Sequence, residues 1–122
     1  MTPVAGPAYV AAVLTLYAGL PDTPLRATAQ DQWLARKLYE RGVPLALVES
    51  ALLLGSLRRL FRPPDLPPLT PVRSLAYFQP VITELQQNPL PDGYLDYLRL
   101  KLRTAPKDSP ADVQKNTFLD ER

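Results

Sequence analysis

One run constrains this chain more than any other. LALVESALLLGSLRRLF, residues 45–61, is apolar on almost every side of a helical wheel. Leu45, Val48 and Leu52 fall on one face. Ala46, Leu53, Leu57 and Leu60 fall on a second, and Leu47, Ala51 and Leu54 on a third. Glu49, Ser50 and Ser56 are scattered between them. A helix that is hydrophobic all round belongs in the middle of a protein. The prolines at 63, 64, 67, 68 and 71 end it, since a helix cannot continue through that density. The expectation is an all-α bundle of about five helices, compact and in one domain, around a central helix 45–61.

The other helices follow from their punctuation. Pro7 suits a first helical position and Gly19 a helix end. Between them Tyr9, Val10, Val13, Leu14, Leu16 and Tyr17 share one side. The second helix begins near Thr28, where Thr28 and Asp31 have the spacing of a capping box. Its buried stripe is predicted to be Leu34, Ala35, Leu38 and Tyr39, and Gly42 to cap its end. A fourth helix covers roughly 72–87, with Pro80 predicting a kink or a short turn before the main helix. Its Phe78 is predicted to be buried and the Tyr77 hydroxyl to face a polar edge. A fifth, 93–103, has Asp92 as its expected cap, an expected Asp96–Arg99 pair, and Tyr94 and Tyr97 beside a core stripe of Leu95 and Leu98. The helical domain is placed at 1–105. Residues 106–122 form a polar, proline-broken tail that carries at most one short helix.

Composition narrows the function. The chain has neither histidine nor cysteine, and its carboxylates are dispersed. The commonest general base, the usual nucleophile pairings and nearly all zinc sites are therefore absent. The five glycines are isolated, so no phosphate-cradling loop exists. The expectation is a protein that is not an enzyme and has no cofactor and no metal. The lack of cysteine favours a cytoplasmic setting. AYVAAVLTLYAGL, the most apolar N-terminal stretch, has thirteen residues, short of the ~20 that span a bilayer. No membrane partner is expected.

The turn at Gly42 before the central helix invites a helix-turn-helix reading. It fails because a recognition helix must show polar side chains to base edges, and helix 45–61 does not. Charge points elsewhere. The net charge is +2, but residues 36–103 hold a local balance of +4, with −1 on either side. Arg58, Arg59 and Arg62 crowd the end of the central helix, and Arg73 follows the proline connector. Either these arginines complement the helix dipole, or they form a patch for phosphate or an acidic partner. In the second case only Asp65 lies nearby in sequence to neutralise them. Arg36 and Lys37 extend the candidate nucleic-acid set. Trp33 falls on the polar face of its helix beside them. Either another segment covers it, or it anchors a partner, since tryptophan is over-represented at binding hot spots.

The stretch from LARKLYERGVPLALVESALLLGSLRRL to PPLTPVRSLAYFQPVITEL (34–85) resembles the DnaD-like primosome domain, and generically the short proteins of bacterial mobile elements. Gly42, Val48, Ala51 and Leu52 match the first part of the pattern, and Tyr77, Val81 and Ile82 the second. Pro80 departs from it, and no tryptophan follows the last helix. The resemblance implies a non-enzymatic accessory that binds DNA or a replication or mobile-element protein. The alternative is a protein–protein adaptor without DNA contact, using Trp33 and the proline-rich connector.

Overall fold

In the computed structural model, which describes residues 5–63, 65–67 and 69–104, the chain is all-α and no strand occurs among those residues. Its helices are α1 (Gly6–Ala18), α2 (Ala29–Glu40), α3 (Leu45–Leu60), α4 (Gln79–Gln87) and α5 (Tyr94–Arg103). A 3-10 helix, Leu75–Phe78, leads directly into α4. The predicted tail lies outside the described residues.

α3 is the centre. Val48, Ala51, Leu52, Leu53 and Leu57 are buried, and α1, α4, α5 and the 3-10 helix all pack on it. Ser50 is accommodated within the helix, its hydroxyl donating to the Ala46 carbonyl at 2.9 Å. α2 sits one layer out, packed against α1 and the 3-10 helix.

Local chemistry sets the ends of α2. Thr28 accepts from the Asp31 N–H, and the Asp31 carboxylate accepts from the Thr28 N–H at 2.8 Å, a reciprocal capping box. The other Asp31 oxygen accepts from the Leu75 N–H at 2.9 Å, so one buried carboxylate caps α2 and pins the 3-10 helix to it. At the far end Gly42 has φ +75, and the N–H groups of Gly42 and Val43 donate to the Tyr39 and Leu38 carbonyls. That is a Schellman motif, whose left-handed residue is best tolerated as glycine. The Tyr9 hydroxyl donates to the Val43 carbonyl at 2.7 Å and ties α1 to this turn.

Several sequence expectations need correction. Residues 72–74 are not helical, although the short turn expected before the main helix is present as the 3-10 helix, and Pro80 falls in the first turn of α4, where its missing N–H is harmless. Asp92 does not cap α5; Gly93, with φ +82, holds the N-cap position without a side-chain hydrogen bond. Tyr39 leaves the buried stripe of α2 and packs on Tyr9 at the surface, over Gly6. Tyr97 is exposed rather than in the core, its ring set against Tyr94.

Candidate functional site

The four arginines expected to form one cationic pole have separate fates. Arg58 makes a bidentate pair with Glu84 of α4, at 2.8 and 2.7 Å, and these hydrogen bonds hold the Glu84 carboxyl below its ordinary value. Arg59 turns inward, with its side chain 8% exposed. It pairs with Asp22, donates to the Thr70 carbonyl at 2.8 Å, and lies 5.2 Å over the Tyr77 ring. Arg62 donates to the Pro67 carbonyl at 3.0 Å. Arg73 is exposed and has no carboxylate partner among the described residues.

Asp65 is the only carboxylate near this cluster in sequence, but the carboxylates that pair with it come from farther away in the chain. Asp22 and Glu84 reach it from 37 and 26 residues away. Sequence reasoning missed both because the turn before α2 and the helix α4 are brought to the end of α3 by packing. Asp22 did carry a signal, since a turn aspartate tolerates a left-handed backbone, and its φ is +67. A second unforeseen pair joins Arg99 of α5 to Glu49 of α3 at 2.8 Å, alongside the expected Asp96 contact at 3.1 Å.

α2 presents a different surface. Asp31, Ala35 and Leu38 are buried, and on the opposite side stands Trp33, 52% exposed. Ala29, Gln30, Arg36, Lys37 and Glu40 surround it by helical spacing. The Lys37 ammonium lies 5.4 Å from the Trp33 ring and 3.4 Å from Glu40. Arg36 is exposed and has no carboxylate partner among the described residues. Trp33, Arg36 and Lys37 are therefore together on one helix face. Arg58 and Arg59 are engaged elsewhere.

No family model matches the chain, and neither a curated protein nor a solved structure is significantly similar to it. The positions that carry the DnaD-like resemblance are mostly packing positions. Val48, Ala51, Leu52 and Ile82 are in the core, Val81 is half-buried, and Gly42 ends α2. Tyr77 is exposed under Arg59. Among the described residues no three His, Cys, Asp or Glu side chains converge as metal ligands. No helix there is long and apolar enough to cross a membrane.

Proposed function

We propose that this protein is a protein-binding adaptor that engages its partner through the outer face of α2. The observation that supports this reading is Trp33, half exposed at the centre of a face whose opposite side is fully packed. An indole left in water at that position is unspent apolar area. Covering the exposed half contributes about 2–3 kcal/mol to binding, at ~25 cal/mol per Å². Arg36 and Lys37 flank it with positive charge, so the segment that covers it carries an apolar side chain and carboxylates.

Nucleic-acid binding is the second reading, favoured by a specific observation. Arg36 and Arg73 have no carboxylate partner among the described residues and remain available to phosphate. In this reading the protein is the non-enzymatic replication or mobile-element accessory that the DnaD-like resemblance implies.

One pair of measurements separates the two. A photo-crosslinking residue at position 33 is expected to capture one defined protein in the cell of origin, and the same residue at the exposed back of α1, position 11, to capture none. Trp33→Ala should weaken the captured complex more than tenfold. Titration with generic duplex and single-stranded DNA across a range of salt supplies the other arm. Steeply salt-dependent binding, with a slope reduced by about one unit for each of Arg36→Ala and Arg73→Ala, together with no crosslink at 33, would replace the adaptor reading with the nucleic-acid one.

A further inference from the structure

The connector between α3 and the 3-10 helix has its own chemistry. Five of residues 63–71 are proline. Each proline fixes φ near −65°, pushes the residue before it toward extended backbone, and contributes a carbonyl without an N–H. Such a segment has few N–H groups of its own to offer its carbonyls.

The end of α3 supplies donors. Arg62 donates to Pro67 and Arg59 to Thr70. Both the arginines and the carbonyls are three residues apart, and they pair in opposite order. The chain therefore reverses in the turn where the Leu66 N–H donates to the Pro63 carbonyl at 3.3 Å, then runs back along the end of α3. The Val72 N–H, donating to the Asp22 carbonyl at 3.0 Å, fixes the far end and buries Val72. Pro67 and Thr70 are tied by their carbonyls to α3. Leu66 and Leu69 are 44% and 41% exposed. Pro67, Pro71 and Arg73 are exposed as well.

We propose that Leu66, Pro67, Leu69, Pro71 and Arg73 form a pre-ordered recognition strip for a domain that reads polyproline II. The groove of such a domain is walled by aromatic rings and carries a carboxylate for Arg73. Aromatic grooves accept proline and leucine side chains from an extended chain, and a strip already held in place loses little entropy on docking. The strip rests on the adaptor reading but uses a different face, so the molecule bridges two partners. Two exposed leucines beside Asp65 are a poor match for a phosphate backbone, whereas Arg73 complements an acidic groove.

The test titrates the full chain into three isolated probe domains of the SH3, WW and EVH1 types, the first with an acidic specificity pocket, following the fluorescence of the groove tryptophan. Saturable binding to at least one is expected. L66S/L69S should weaken it more than tenfold and R73E about fivefold. R62A leaves every contacting side chain in place but releases the Pro67 carbonyl, and should weaken binding about two- to fivefold. Gln86→Ala, on the exposed side of α4, should change nothing, and circular dichroism melts establish that each variant folds. The proposal is overturned if none of the three domains binds, or if L66S/L69S binds as well as the parent. Self-association of the chain through Leu66 and Leu69 in place of domain binding also overturns it. The crosslink at position 33 shares no variant with this assay, so either surface can fail without the other.

Discussion

Gly55 lacks a side chain where Phe78 occupies the space. A Cβ there would stand 2.7 and 2.8 Å from two ring carbons of Phe78. That ring is fully buried and meets Tyr17 edge-on at 6.2 Å, so it has little freedom to retreat. A glycine inside a helix ordinarily costs about 1 kcal/mol relative to alanine. Here the close approach reverses the sign, because overpacking a core costs ~1–3 kcal/mol. Gly55→Ala is expected to lower stability by about 1 kcal/mol net, read as a lower denaturant midpoint at unchanged m-value. An equal or higher midpoint would mean that the ring is not seated against α3. In the sequence Gly55 is one of five isolated glycines, and the phenylalanine that requires it lies twenty-three positions on. The need for Gly42, by contrast, is set within its own turn and was legible.

At the scale of elements, the end of α3 holds two adjacent arginines with different roles. The Arg58–Glu84 pair joins α3 to α4 at the surface, with side chains 52% and 42% exposed. Exposed pairs contribute about 0.2–1 kcal/mol. Arg59 joins α3 to the turn before α2 and to the proline connector, largely out of water. Removing it leaves Asp22 facing a partly buried void and the Thr70 carbonyl without its donor. Breaking such a pair costs ~3–5 kcal/mol when both charges are fully buried, and Asp22 keeps some water contact. Arg59→Ala is therefore expected to cost about 3 kcal/mol, and Arg58→Ala less than about 1. Thermal melts of the two variants and a double-mutant cycle with Asp22→Asn check this. Equal losses would show that Arg59 is not a strut. The comparison also bears on any DNA-binding assay of the arginine pole: replacing Arg58, Arg59 and Arg62 together tests folding before it tests phosphate contact. Arg36 and Arg73 are the cleaner probes.

For the molecule as a whole, base should be a specific denaturant. Burial pushes the Tyr9 phenol up to about 12, and burial with the nearby Asp31 charge does the same for Tyr17. The folded values lie above the unfolded value near 10, so the native state holds these protons more tightly. Their contribution to stability is fully present below pH 10 and is lost as pH rises through about 12. Phenolate absorbance of Tyr9 and Tyr17 is expected to appear together with loss of the helical dichroism in that window. Tyr9→Phe should remove about one proton from the pH dependence. Ionisation of both tyrosines near pH 10 with the helices intact would contradict the burial of α1 against its neighbours. The all-α class, the helices, the capping box at Thr28 and Asp31 and the central place of α3 were readable from residues alone. Each depends on apolar period or on partners within a helical turn, and such interactions travel with the local sequence. Which arginines are neutralised, which tyrosines face water, and the second duty of Asp31 at Leu75 were not readable. These depend on groups 26 to 44 residues apart being held within hydrogen-bonding distance, and only the docking of the helices brings them there.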